Sequence, residues 1–340
     1  MSASTIDDEI RDLLERAGVT ANLELARSIV GTALALGTDG TERLDLKITA
    51  SALAEMREAF RMFAPFADRP KVTIFGSART LADDPLYAQT RAVAAALAAE
   101  GWMVVTGAGP GIMLAAMEGA GRDSSIGVSI RLPFETRAND VIHDDPKHVS
   151  MKYFFTRKLM LVKESKGFIA VPGGFGTLDE TLELLTLQQT GKAEPTPIVL
   201  LDVPGGTYWA GFTGFVRDEL ARRGLVAADD LERVLVTDSV DAAVREVLGF
   251  WATYHSLRWV GERLVLRLRH ALAEDALVEL NDRFAPYLDG GAIAPTEPLG
   301  PERTEADHLE LPRLAVRWQQ RHVGELHQLI RAINDLGRRA

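Results

Sequence analysis

Residues 172–180 read Pro-Gly-Gly-Phe-Gly-Thr-Leu-Asp-Glu and follow directly on the apolar run Gly167-Phe168-Ile169-Ala170-Val171. A strand that ends in glycines and continues into a helix turns its backbone N–H groups toward one point, as phosphate sites of α/β proteins do. Gly173, Gly174 and Gly176 open backbone conformations closed to other residues and keep side chains away from the ligand. A helix predicted to begin near Thr177 would aim the positive end of its dipole at the same spot. Glu180 stands one turn further on. A carboxylate beside an anion site opposes binding, so it points to chemistry rather than to capture alone. A second reading stands beside that one: Thr177-x-x-Glu180 has the spacing of a capping box, in which both side chains serve only the helix end.

Three other segments are expected at the same end of the fold. They are Phe75-Gly76-Ser77-Ala78-Arg79, Thr106-Gly107-Ala108-Gly109-Pro110-Gly111, and the pair Arg157-Lys158. Arg157 and Lys158 suit an anionic substrate, although in isolation the pair reads first as charges on a solvated helix face. Gly107-Ala108-Gly109 resembles part of a dinucleotide fingerprint. No acidic residue ends the next candidate strand, 125–130, where a ribose-binding carboxylate would stand, which argues against a nicotinamide dehydrogenase. Asp140 with His143-Asp144-Asp145 reads as a solvated loop rather than a metal site. His322 and His327 are five apart, do not share a helix face, and are expected at the surface.

Short apolar runs at 71–75, 102–106, 125–130, 167–171, 196–201 and 233–237 predict strands. Helical periodicity at 86–99, 111–121, 151–164, 178–190, 208–223 and 239–249 predicts the elements between them. Strands that alternate with helices of this length predict an α/β fold, a doubly wound, mostly parallel sheet covered on both faces. The glycine segments then fall at the carboxyl ends of the strands, where such sheets bind ligands. Residues 6–36 and 50–64 predict N-terminal helices. Beyond 250 the rhythm changes to a hairpin around Gly261, a helix over 271–287, an irregular stretch at 289–303 and a last helix over 313–337. The predicted organisation is an N-terminal helical extension (1–69), a nucleotide-binding catalytic domain (70–249) and a C-terminal α+β extension (250–340).

The 340 residues are 46% hydrophobic, ample for a packed core, and carry a net charge of −10. An acidic chain is a poor nucleic-acid binder. Cysteine is absent, which removes disulfides, thiolate metal sites and cysteine nucleophiles and suits a reducing cytoplasm. The acidic first ten residues do not read as a signal peptide, and no charge-free stretch is long enough to span a membrane.

Taken together, Arg157-Lys158 and Pro172–Glu180 match the RK and PGGxGTxxE pattern of the Lonely Guy family, cytokinin riboside 5′-monophosphate phosphoribohydrolases often mislabelled lysine decarboxylases. Phe75–Arg79 and Gly107–Met113 resemble the family's two other loops, with Ala108 where many members have glycine. The resemblance spans about residues 70–245 and implies a Rossmann-like domain that hydrolyses the N-glycosidic bond of a nucleoside 5′-monophosphate, of the AMP or cytokinin riboside kind. It implies Arg157 and Glu180 as the catalytic pair. Ser77, Gly109, Gly111, Lys158, Gly173, Gly174, Gly176 and Thr177 would hold the substrate and its phosphate. It calls for no metal, pyridoxal phosphate or nicotinamide, and it implies a homodimer or higher oligomer. The alternative is a non-catalytic carrier of a nucleotide or molybdenum cofactor on the same fold, which would have no need of Glu180.

Overall fold

The computed structural model describes residues 5–133, 137–227 and 229–339. The chain divides into two compact units, Met1–Glu58 and Ala59–Ala340.

In the first unit, α1 (Ile6–Arg16) begins with a capping box, Thr5 Oγ1 accepting from the Asp8 N–H while the Asp8 carboxylate accepts from the Thr5 N–H. Ile10 and Leu14 form its buried stripe. α2 (Leu23–Thr38) follows, so the helical stretch expected over 6–36 is broken after Arg16, where Gly18 takes a left-handed φ of 79°. α3 (Arg43–Phe63) starts seven residues before the periodicity alone indicated and runs across the unit boundary.

The second unit is built on a seven-stranded sheet: β1 (Lys71–Phe75), β2 (Met103–Thr106), β3 (Ser125–Ile130), β4 (His148–Met151), β5 (Gly167–Ala170), β6 (Ile198–Leu201) and β7 (Val234–Thr237). Its order is β4-β3-β2-β1-β5-β6-β7 and every neighbouring pair is parallel. β1, β2, β5 and β6 are buried along their whole length, as a sheet covered on both faces requires. The helices between them are α4 (Pro85–Ala99), α5 (Ile112–Ala120), α6 (Phe154–Lys163), α7 (Phe175–Gln189), α8 (Tyr208–Phe215) and α9 (Val240–Gly249). The stretch expected as one helix over 208–223 passes at Val216 into a π-helical turn and then a 3₁₀ turn. The order reverses between β1 and β5, so the connections leaving these two strands diverge and leave a crevice at their carboxyl ends.

A second sheet follows, β8 (Tyr254–Val260), β9 (Arg263–Leu268), β10 (Ala294–Pro295) and β11 (Arg313–Val316), in the order β10-β11-β9-β8. β8 and β9 form the expected antiparallel hairpin. With them come α10 (Glu274–Phe284), α11 (Gly300–Glu305) and α12 (Val323–Gly337). The helix expected over 313–337 is therefore a strand followed by a shorter helix. Leu314 and Val316 are buried while Ala315 is partly exposed, a period of two that competes with the helical one. The expected irregular stretch likewise contains β10 and α11. Buried Glu302 of α11 bonds Arg267 of β9 and Arg313 of β11, both at 2.8 Å, which fixes that helix to the sheet.

One continuous core joins both sheets, from Val72, Val104 and Ile169 to Leu266, Leu329 and Ile333. Of the four tryptophans expected from the sequence to be buried, Trp209, Trp251 and Trp318 are buried and Trp259 is only half-buried. His327, expected at the surface, is buried too, against the Phe250 ring.

Candidate functional site

A cleft of about 700 Å³ opens over the carboxyl ends of β1, β2 and β5, at the reversal of strand order. The loop after β5 forms one wall. α7 starts at Phe175 with Gly174 as its N-cap, earlier than Thr177, and this decides between the two readings of Thr177 and Glu180. Both lie inside the helix rather than at its end, so they do not form a capping box. No acceptor among the described residues takes the N–H groups of Gly174, Phe175 or Gly176. They meet at the positive end of the α7 dipole, the electrostatic setting of an anion site. Gly173 is required by packing, because a Cβ there would overlap the Thr177 hydroxyl.

Glu180 lines the same cleft, 7% exposed, and its Oε2 has no hydrogen-bond partner. Burial pushes its carboxyl up to about 7, against the opposing pull of Lys158 and then Arg157. A side chain whose proton sits near neutrality, in a cleft and beside free N–H groups, is suited to proton transfer. The cost of burying it unpartnered argues against a purely structural role.

Arg157 reaches the cleft from α6. Its Nε donates to the Val128 carbonyl at 3.0 Å, which lays the guanidinium across the end of β2 over Gly107. Lys158 does not line the cleft. Its ammonium lies 2.9 Å from Asp179 and 2.7 Å from Glu183, tying α6 to α7. Neighbours on a helix point about 100° apart, so only one of the pair enters the cleft.

Ser77 lines the cleft and turns its own loop, Oγ accepting from the Arg79 N–H at 3.0 Å while its carbonyl accepts from the Ile112 N–H. Gly109 lines the cleft. Gly111 does not. Its φ is 64° and a Cβ would strike the backbone of Ser77 and Ala78, so it serves the close approach of two loops. Ala108 holds a left-handed φ of 57°, a conformation that suits glycine better. Asp145, in the oxygen-rich stretch, is buried between Lys147 and Arg122 at 2.8 Å each, a structural ion pair. Among the described residues no group of three or more His, Asp or Glu could hold a metal.

Further lining residues were not singled out by the motifs. Phe154 and Phe175 stand exposed at the mouth. Tyr208 of α8 also lines the cleft, its hydroxyl donating to the Gly173 carbonyl at 2.7 Å.

Fold and site together define a doubly wound α/β protein with a glycine-loop anion cradle and a buried carboxyl beside it. A family profile described as possible lysine decarboxylase matches residues 110–247. A cytokinin riboside 5′-monophosphate phosphoribohydrolase of Mycobacterium marinum is 33% identical over 159 residues, 45% of this chain and 81% of the relative. The Mycobacterium tuberculosis protein of that name is 31% identical over 158 residues, 45% of this chain and 80% of the relative. The molybdenum cofactor carrier protein of Chlamydomonas reinhardtii aligns with 22% identity and a TM-score of 0.37 over 53% of this chain and 98% of that one. The chain belongs to the Lonely Guy family of phosphoribohydrolases. No helix among the described residues is long and apolar enough to cross a membrane.

Proposed function

We propose that the protein hydrolyses the N-glycosidic bond of a nucleoside 5′-monophosphate, giving the free base and ribose 5-phosphate. The observation that carries this is Glu180, a buried carboxyl with an unpartnered oxygen and a proton held near pH 7, beside a cradle of unpaired N–H groups. The 5′-phosphate binds Gly173, Gly174, Gly176 and Thr177 at the α7 N-terminus, with Ser77 and Gly109 closing the cleft. The ribose then lies over Glu180. As the C1′–N bond breaks, positive charge grows on the sugar and the ionised carboxylate stabilises it. Water adds to C1′. One of its hydrogens stays on the new hydroxyl and the other reaches the base nitrogen, with Glu180 taking it from the water first. Arg157 orients the ribose and favours the ionised carboxylate.

Purified protein is therefore expected to release base from a 5′-monophosphate with no metal or cofactor added. The test set is AMP, GMP, CMP, UMP and a prenylated AMP, with chromatography of the products. No base from any of them would overturn the proposal.

Remote phosphate contacts speed the chemical step by holding the ribose in reach. Charge-assisted hydrogen bonds contribute roughly 1.5–3 kcal/mol each, so adenosine is expected to fall on the order of a thousandfold below AMP in kcat/KM. Equal values for the two would remove the phosphate from the glycine loop.

The working protein is proposed to be a homodimer or higher oligomer in the cytoplasm. Phe154, Phe155 and Leu159 of α6 and Phe175 and Leu182 of α7 are exposed on two helices that Lys158 holds together. Sedimentation as a 37.1 kDa species at micromolar concentration would refute the oligomer.

A further inference from the structure

The glycine loop has a mechanical weakness that its sequence creates. Gly173 and Gly174 have no side chains to fix the peptide between them, and a peptide joining two glycines rotates more freely than any other. An anion site needs those amides aimed in advance, because donors that must first reorient bind and stabilise less. The Gly174–Phe175 peptide has its clamp: the Gly174 carbonyl accepts from the N–H groups of Thr177 and Leu178 at 3.1 Å each. A peptide unit is planar and trans, so its N–H points opposite to its carbonyl. The Phe175 N–H therefore points out of the helix N-terminus. The Gly173–Gly174 peptide receives nothing of this kind from α7.

Its clamp comes from α8, which follows β6, the strand next to β5. The Tyr208 hydroxyl donates to the Gly173 carbonyl at 2.7 Å. Tyr208 itself is set by rigid elements. Asp202, 7% exposed at the end of β6, accepts from the Val203 N–H at 2.9 Å and from the Tyr208 N–H at 3.1 Å. The neighbouring Trp209, fully buried, donates its indole N–H to the Leu201 carbonyl at 3.2 Å. A Cβ on Gly206 would overlap the Asp202 carboxylate, so this turn too is shaped around the acid. The chain of contacts runs from the β6 end through Asp202 to Tyr208 and ends on one carbonyl in the glycine loop.

We propose that Tyr208 is the positioning residue of the anion site: by holding the Gly173 carbonyl it aims the Gly174 N–H at the phosphate of the substrate. The inference rests on the phosphate-binding reading given above and adds the residue that preorganises it. Tyr208 transfers no proton and touches no reacting atom. Its contribution is confined to ligands that carry the anion.

Tyr208→Phe keeps the ring and removes only the donor. Ribose 5-phosphate, titrated calorimetrically against the full-length protein, is the first probe. The variant is expected to bind it about tenfold more weakly, the loss that one net hydrogen bond's worth of preorganisation produces. In turnover, kcat/KM for AMP should fall by a similar factor while that for adenosine stays at the wild-type value. A general folding defect would lower both substrates together and lower the melting temperature, so the AMP-to-adenosine ratio separates positioning from damage. Unchanged ribose 5-phosphate affinity in Tyr208→Phe, or an equal loss for both substrates, would overturn the inference. If the wild type binds ribose 5-phosphate but hydrolyses nothing, the reaction is wrong and the binding comparison still decides the role of Tyr208. If the wild type does not bind it at all, the loop is no phosphate site and the inference falls with it.

Discussion

The guanidinium of Arg157 occupies the space that a side chain on Gly107 would fill. The glycine at the end of β2 is thus the floor on which a cleft arginine lies, and the Arg157 Nε bond to the Val128 carbonyl holds it there. Gly107 was legible as part of a phosphate-type glycine cluster, but its packing partner is a cation of the protein itself. Gly107→Ala is therefore expected to push Arg157 and the Met113 sulfur, 2.7 Å from the added carbon, out of position. Both are ends of flexible side chains, so the stability cost should stay within about 1–2 kcal/mol. Activity should fall on the order of tenfold or more, since a displaced charge no longer meets the ribose. A melting temperature and a kcat/KM for AMP measured on one preparation check this. Full activity in the alanine variant would show that the placement of Arg157 is not needed.

Glu180→Gln tests the carboxyl without emptying its place. General acid–base and electrostatic roles of this kind contribute typically about 10²–10⁴ in rate, and a loss of that size in kcat is expected. Stability should move the other way. The folded carboxyl has its pKa raised from 4.5 to about 7, so the folded state holds the proton more tightly, and stability declines as pH rises between these values. Glutamine carries no charge to bury. At pH 8 the variant should match or exceed the wild type in melting temperature, by on the order of a kcal/mol or more in stability. Retained turnover would remove Glu180 from the chemistry.

The strands were legible where burial is complete on both faces. β1 and β3 fall where their short apolar runs do, and β5 and β6 differ only at their ends, because most positions of a strand enclosed by helices are apolar. β4 was not legible: His148-Val149-Ser150-Met151 is an edge strand with one buried face, four residues long and without an apolar run. β11 was hidden by the strong helical period of α12 behind it. In the site, the loop glycines at 173–176 and Glu180 could be read because they stand together in the chain, and Arg157 by its place in the Arg-Lys pair. The different fate of Lys158 could not, since adjacency in sequence conceals divergence around a helix. Tyr208 lay in a segment that reads as an ordinary amphipathic helix. The only clue was Asp202 followed by a Gly-Gly turn, a strand end that captures the next helix.

His327 makes an acid-labile point in the core. Neither ring nitrogen has a hydrogen-bond partner, the Phe250 ring lies 4.9 Å away, and burial followed by the charges of Arg331 and Arg233 pushes its pKa down to about 3. Arg331 pairs with Glu246, and Arg233 with Asp230 at 2.9 Å, so the groups facing the ring are already committed. The unfolded chain takes up this proton near 6.5 and the folded chain does not. Stability should therefore be lost as pH falls from about 6.5 toward 3, at up to about 1.4 kcal/mol per pH unit from this one group. His327→Leu should flatten that part of a stability–pH curve measured by urea unfolding. An unchanged slope would place the acid sensitivity elsewhere.

The pH dependence of turnover should carry the signature of Lys158, although that residue lies outside the cleft. Among the charges acting on Glu180, Lys158 is the strongest in lowering its pKa, ahead of Arg157, while Glu183 and Asp179 raise it. With Glu180 needed in its ionised form, kcat/KM for AMP should climb with pH, bend near 7 and level above it. Lys158→Met removes the stabilising cation and leaves Asp179 and Glu183 unneutralised beside the carboxyl. Both changes act in one direction, so the bend should move to higher pH. The rate on the upper plateau should change far less than in Glu180→Gln, because Lys158 does not meet the substrate. Arg157→Ala should also raise the bend, but with a large loss on the plateau, since that side chain lies in the cleft. Profiles of the wild type and the two variants, taken from pH 5.5 to 9.5 at constant ionic strength, separate the roles. A bend that stays in place in Lys158→Met would mean that the observed ionisation is not that of Glu180.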